Sequence, residues 1–161
     1  MKRMLAVGLI VSFIVAEARL FAVDSNKAQY MGGTVAGLKE KAQGRFSTSA
    51  EDAITFTPDG KKSVPVSIPY AAITELEYGQ KAGRRVAVGI LVSPWALFSK
   101  KRNHYLTISY KDAAGKEQAA VFELGKDIVR TTVKILETRS GKDVQYQDDE
   151  ARKSLGGGKG K

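Results

Sequence analysis

Few side chains in this sequence could perform acid–base or metal chemistry. The chain has one histidine, His104, and no cysteine, which excludes thiol nucleophiles, disulfides and nearly every zinc site. His104 follows three cations, and no nucleophile or orienting carboxylate accompanies it in sequence, so the pattern favours a surface histidine. The acidic pairs Glu75 with Glu77 and Asp148 with Asp149 fall on an exposed strand and in a polar tail. We therefore expect no catalytic site, no metal site and no cofactor.

The strongest pattern is a basic and apolar segment at residues 81–102. No acidic residue lies between Glu77 and Asp112, and thirteen uncharged residues run from 86 to 98. The basic residues flanking that run are Lys81, Arg84, Arg85, Lys100, Lys101 and Arg102. A basic collar around an apolar tip can press into a membrane interface, with Trp95 and Phe98 at headgroup level. Each such cation contributes about 1 kcal/mol near an anionic surface, so this binding would depend on salt.

Two other interpretations of the same segment stay open. An uncharged run of this length is also typical of a core element, or of a surface that buries itself in a homo-oligomer. A basic patch near Trp95, His104 and Tyr105 could instead contact phosphates and stack on bases, but the chain has no nucleic-acid-binding motif. A partner is therefore expected to be an anionic lipid surface, an envelope protein or a second copy of the chain, rather than nucleic acid.

The N-terminus has the features of an export signal over residues 1–22. Two basic residues precede the apolar run at 4–16, and Ala16, Glu17 and Ala18 form a small-x-small cleavage pattern, with a second candidate site after Ala22. As a helix, the thirteen apolar residues would cover about 20 Å of a hydrocarbon core of roughly 30 Å. We therefore expect a cleaved signal and a periplasmic or extracellular protein, with peripheral membrane attachment as one option.

The remaining chain predicts one domain of short strands followed by one helix. The length of 161 residues and the hydrophobic content of 43% suit a single domain. Alternation with period 2 predicts strands, and the expected strand segments are 34–38, 45–47, 54–57, 64–70, 73–78, 104–110 and 120–124. Two prolines, Pro65 and Pro69, place the fourth of these at a sheet edge.

The apolar period changes to 3.6 after Gly125, which predicts an amphipathic helix over about 127–139. Asp127 is expected to cap its start, and Gly141 to end it in a left-handed conformation. Residues 147–161 have almost no apolar content and are expected to form a disordered tail. The fold class predicted is mainly β: a bent antiparallel sheet, or partly open barrel, of about seven strands capped by one C-terminal helix.

Three segments resemble those of bacterial pleckstrin-homology-like (PH-like) domains: residues 64–79, the hairpin at 104–124 and the helix at 126–142. The resemblance covers about residues 28–144. The family's segment that leads into its fifth strand is matched by Ile68, Pro69, Tyr70 and Ile73. The resemblance implies a non-catalytic binding module among exported proteins. The long apolar insertion at 81–102 departs from the family's pattern.

The resemblance also implies a second candidate site in the loop between the first two strands. In PH-like domains this loop often carries basic residues that hold anionic headgroups, and Lys39, Lys41 and Arg45 occupy the comparable place here. Surface lysines are more often merely solvated, so these residues are secondary candidates. Two functions are thus expected: an envelope module that binds an anionic surface or partner through residues 81–102, or a structural protein that buries the apolar run.

Overall fold

The computed structural model describes residues 26–80 and 103–156. The described residues form eight strands, a single 3-10 turn at Tyr70–Ala72 and two α-helices. The strands are β1 (Lys27–Gly33), β2 (Ala42–Ser47), β3 (Ala53–Pro58), β4 (Val66–Pro69), β5 (Ile73–Gly79), β6 (His104–Lys111), β7 (Glu117–Leu124) and β8 (Val144–Tyr146). The helices are α1 (Lys126–Ser140) and α2 (Asp149–Ser154).

All eight strands belong to one sheet, in the order β4-β3-β2-β1-β7-β6-β5-β8. Every pairing is antiparallel except that of β5 with β8, which is parallel. The predicted class, a mainly β bent sheet with a C-terminal helix, is therefore confirmed. The eighth strand comes from the residues just after α1, where the sequence has too short an apolar pattern to predict one.

One face of the sheet curls around a single apolar core to which strands β1 to β8 and both helices contribute. Phe122 lies at the centre of this inner face, with ring centroids 5.1 Å from Phe46, 5.1 Å from Phe56 and 5.7 Å from Tyr30. Because these rings come from β1, β2, β3 and β7, they can meet only if the sheet bends. Helix α1 covers the core with Val129 and other apolar residues of one face.

The predicted C-terminal stop of α1 is observed, whereas the predicted N-terminal cap is not. Gly141 has φ 67° and its N–H donates to the carbonyl of Glu137 at 3.0 Å, so the predicted left-handed stop is confirmed. At the start, the capping position is Gly125, and no side chain caps the helix. Asp127 lies two residues after the capping position, where its charge still favours the first turn.

Strand β4 is at the sheet edge, as its prolines predicted. The N–H of Tyr70 donates to the backbone carbonyl of Asp52, the residue before β3, at 2.9 Å. Since strand residues alternate, Pro65, Ser67 and Pro69 direct their backbone nitrogens away from β3. Two of these three positions carry no N–H, which protects the edge from pairing with another strand.

Two predicted segments differ in the structure. The strand expected at 34–38 is a loop, because the first strand lies earlier and ends at Gly33, where a Cβ would come within 2.2 Å of the carbonyl oxygen of Ala119. The tail expected at 147–161 contains α2. Asp148 accepts a hydrogen bond from the N–H of Ala151 at 2.7 Å and caps this helix.

Helix α2 is fixed to the core by Ala151 and by Leu155, the residue that ends the helix, at i, i+4 spacing. Ala151 is fully buried and Leu155 is 9% exposed, and both belong to the inner core. Two apolar residues among charged ones are too weak a pattern to predict a helix. The rest of the predicted tail, 157–161, and the predicted signal at 1–22 lie outside the described residues. No helix within the described ranges is long and apolar enough to cross a membrane.

Arg139 connects the end of α1 to the β2–β3 loop. Its Nη1 donates to the carbonyl of Thr48 at 2.6 Å and to that of Ala50 at 2.5 Å. We expect Arg139→Met to lower the free energy of unfolding by about 1–2 kcal/mol, since the hydrogen bonds are charge-assisted but solvent-exposed. Urea unfolding measures this loss. The control is Lys134→Met on the same helix, whose ion pair with Glu137 spans 3.8 Å; an equal loss in both variants would contradict the role of Arg139.

Leu155 tests whether the end of the chain is part of the fold. Because its side chain is buried in the inner core, Leu155→Ala should cost about 2–3 kcal/mol in urea unfolding. Lys153→Ala, an exposed change in the same helix, should cost under about 0.5 kcal/mol. A negligible effect of Leu155→Ala would restore the prediction of a disordered tail.

Candidate functional site

The antiparallel pairing sorts the loops to two opposite ends of the strands. The β1–β2 loop (34–41) and the β3–β4 loop (59–65) lie at one end, which we call the mouth. The β5–β6 connection (80–103) lies at the other end, which we call the insertion end. The basic and apolar segment therefore leaves the sheet at the end opposite to the mouth.

The primary candidate residues all fall within 81–102. They are Lys81, Arg84, Arg85, Trp95, Phe98, Lys100, Lys101 and Arg102, and they lie outside the described residues. The structure does describe where this segment starts and ends. Gly79, the last residue of β5, pairs directly with Tyr105 in β6. Both ends of the insertion are thus fixed on neighbouring strands.

A hydrogen-bonded group joins these two strands to α2. The Tyr78 hydroxyl lies 2.5 Å from His104 Nδ1 and 2.9 Å from Ser154 Oγ, and the rings of Tyr78 and His104 stack at 6.0 Å. Burial raises the pKa of Tyr78. Burial also lowers the pKa of His104, and the charge of Lys126 lowers it further. This group holds the start of β6 and the end of β5 against the last helix.

The sequence favoured a surface histidine at 104, and in the structure this side chain is half-buried rather than fully exposed. Its ring stacks on Tyr78 from the neighbouring strand, and the Tyr78 hydroxyl in turn contacts Ser154 Oγ from the end of the chain. Neither partner is near His104 in sequence, so no local pattern could have predicted the contact. Among the described residues, no group of three His, Asp or Glu side chains is arranged to hold a metal ion.

Further contacts tighten the insertion end. The N–H of Gln147 donates to the Tyr78 carbonyl at 3.0 Å, and a Cβ at Gly79 would lie within 2.5 Å of the Gln147 side chain. The Tyr146 ring packs edge-on to Tyr78 at 6.1 Å, and the Arg152 guanidinium covers Tyr146 at 5.3 Å. The residues after α1 therefore brace the strand from which the insertion departs.

The mouth carries a cleft of about 430 Å³ between its two loops. Its walls are mainly apolar, with Leu38 on one loop and Val66 at the start of β4. Val64 is 76% exposed, an unusual degree for a valine. Lys39 and Lys62 lie at the cleft. The sequence analysis did not predict Lys62 as a site residue. Its position just after the predicted turn at 58–60 is the feature that could have indicated it.

The secondary candidates do not form one site. Lys39 lines the mouth cleft, whereas Lys41 is exposed in a turn with φ 62° and uses its backbone carbonyl to accept from Gln29 at 2.9 Å. Arg45 lies on β2 in a separate groove of about 730 Å³. Asp59 and Glu123 line the same groove, so its charge is mixed rather than basic.

The charge of the chain is divided unevenly between the domain and the insertion. Residues 26–80 and 103–156 together carry fifteen Lys and Arg and fifteen Asp and Glu. The described domain is therefore formally neutral. Residues 81–102 carry six basic and no acidic side chains, out of a net charge of +9 for the whole chain.

No family model matches the chain, and no curated protein matches it. Among solved structures, that of the Spt16D Pob3N heterodimer is similar, with 14% sequence identity and a TM-score of 0.39. The alignment covers 83% of this chain and 60% of the other. A similarity of this level does not extend to activity or partners.

The chain's one histidine predicts a pH dependence of stability. Because the pKa of His104 is lowered in the folded state, the unfolded chain binds more protons as the pH falls through the ordinary histidine range. We expect the free energy of unfolding to fall from about pH 7 to about pH 5. Urea unfolding at each pH measures it. His104→Gln should remove this slope, and an unchanged slope would contradict the assignment to His104.

Proposed function

We propose that this chain is an exported, non-catalytic binding module of the cell envelope, which contacts an anionic membrane surface through the basic residues of 81–102. The observation that carries the proposal is the separation of charge: a formally neutral domain carries one strongly basic insertion. Export is part of the proposal and rests on the N-terminal pattern at 1–22.

The charge separation favours a contact between the basic residues and an external surface over ion pairs within the protein. A neutral domain provides no excess negative charge to balance six cations, so an external anionic partner can do so. The two basic clusters, 81–85 and 100–102, flank the segment near its two ends. Both ends start from neighbouring strands joined through Gly79 and Tyr105, so both clusters leave the same end of the domain.

The ordered strand ends at the insertion end also support this function. Tyr78, His104 and Ser154 tie β5, β6 and α2 together just below the segment. Because the strand ends are already ordered, the segment between them would lose less conformational entropy on binding. Each basic side chain at an anionic surface contributes about 1 kcal/mol, so several together give binding that salt weakens.

The test is co-sedimentation of residues 23–161 with vesicles. Vesicles of phosphatidylcholine with phosphatidylglycerol should bind the protein at low salt and release it at high salt, whereas pure phosphatidylcholine should not bind. The double variant Arg84→Glu with Lys101→Glu should weaken binding at least tenfold, because each lost cation removes about 1 kcal/mol.

The matched control reverses the same amount of charge at the mouth. Lys39→Glu with Lys62→Glu should leave vesicle binding within about threefold, since these lysines lie at the opposite end of the strands. An equal loss of vesicle binding in both double variants would show that binding depends on the net charge of the protein and not on the basic residues of 81–102. Salt-independent binding, or no binding to anionic vesicles, would contradict the proposal and direct the search to a protein partner.

A further inference from the structure

The mouth cleft is lined by residues of the β1–β2 loop, the β3–β4 loop and the strands that these loops join. Its volume of about 430 Å³ lies within the range of small-molecule sites. Leu38, Ala42, Pro58 and Val66 are half-buried and give the cleft apolar walls. Leu38 and Ala42 also pack against the inner core, so these walls are part of the folded domain.

Hydrogen bonds within the two loops give the cleft a defined shape. At the end of the β1–β2 loop, the N–H of Ala42 donates to the carbonyl of Lys39 at 3.1 Å. In the β3–β4 loop, the hydroxyl of Ser63 donates to the carbonyl of Gly60 at 2.9 Å. Because both loops are already ordered, a small molecule that binds between them spends little free energy on rearranging the protein.

Positive charge is concentrated around the cleft. The loops at 34–41 and 59–65 carry four lysines and two acidic residues, on a described domain that is formally neutral. Lys39 and Lys62 line the cleft from the two loops, and Asp59 lines it as well. An anionic group at the cleft therefore meets an excess of positive charge directly beside apolar walls.

Val64 extends the apolar surface to the outside of the cleft. Its side chain is 76% exposed, and it lines the cleft from the β3–β4 loop. An apolar chain that lies against Val64 and the half-buried Val66 removes the surface of both valines from water, which favours binding.

These features together define the chemistry of the ligand. A small hydrated anion would leave the apolar walls in contact with water, and an uncharged hydrocarbon would make no use of the two lysines. A molecule with an apolar chain and one carboxylate group satisfies both, since the chain covers the walls while the carboxylate stays near the ammonium groups in water.

We propose that the mouth cleft binds a small amphipathic carboxylate. The apolar chain lies against Leu38, Ala42 and Val66, and the carboxylate lies near Lys39 and Lys62. This site is at the end of the strands opposite to the insertion, and its occupation does not depend on membrane binding.

The test is an NMR titration of the backbone amides of the 161-residue chain with three probes. Decanoate carries both the chain and the carboxylate, decyltrimethylammonium carries the same chain with a positive charge, and acetate carries the carboxylate alone. We expect decanoate to bind saturably, with shifts in 36–42 and 58–66, and at least fivefold more tightly than decyltrimethylammonium. Acetate should not saturate the site over the same range of concentration.

Two variants separate the contributions of charge and apolar contact. Lys39→Gln with Lys62→Gln should weaken decanoate at least threefold without weakening decyltrimethylammonium, because only the carboxylate uses the lysines. Val66→Thr, which changes a methyl group to a hydroxyl, should weaken both chain-bearing probes at least twofold. The matched control is Lys134→Gln with Lys142→Gln. It removes two exposed charges at the other end of α1 from Gly125 and should leave decanoate affinity within twofold.

Three results would overturn the proposal: no saturable binding of decanoate, equal affinity for decanoate and decyltrimethylammonium, and shifts that fall mainly in 81–102. The last result would show that the probe associates with the apolar run and not with the cleft. Vesicle binding of the Lys39→Gln and Lys62→Gln variant tests the proposed function separately, because this variant keeps all six basic residues of 81–102.

Discussion

The fold depends on the packing of three aromatic rings around Phe122. Tyr30, Phe46 and Phe56 each place a ring 5.1 to 5.7 Å from its centroid, and each comes from a different strand. Such contacts require that β1, β2, β3 and β7 curl toward one another, since a flat sheet would hold the rings side by side. The curl produces the concave face on which α1 and α2 pack. It also fixes which residues face outward.

The same arrangement separates the two regions with functional potential. Antiparallel pairing puts the mouth, with Lys39 and Lys62, at one end of the strands and the root of the basic insertion at the other. The group of Tyr78, His104 and Ser154 stabilises the insertion end, because it joins β5, β6 and α2 by hydrogen bonds. In our account the neutral domain is the support, and the basic clusters of 81–102 are the contact surface.

The sequence predicted the features that depend on local pattern. The alternation from His104 to Tyr110 predicted β6, Pro65 and Pro69 predicted an edge, and Gly141 predicted the end of α1. Features that depend on distant contacts were missed. These include the stacking of His104 on Tyr78, whose hydroxyl contacts Ser154, and the helix that Ala151 and Leu155 fix to the core.

Burial on the outward face was also beyond sequence reasoning. The alternation in β6 and β7 assigns Tyr105 and Val121 to the solvent side, and only the folded chain shows them covered. The primary candidate residues at 81–102 remain predictions. For the mouth, the sequence predicted Lys39 but not its partner Lys62, because the two lie on loops joined only through the pairing of β1, β2 and β3.

The most direct test of the whole account uses the chain's one tryptophan, Trp95, in the apolar run. Its fluorescence is recorded as the protein is mixed with anionic vesicles at low salt and then at high salt. We predict that the anionic vesicles shift the emission to the blue at low salt and that high salt reverses the shift, because the basic residues of 81–102 bring the segment to the headgroups. An emission that anionic vesicles leave unchanged at low salt would contradict the account.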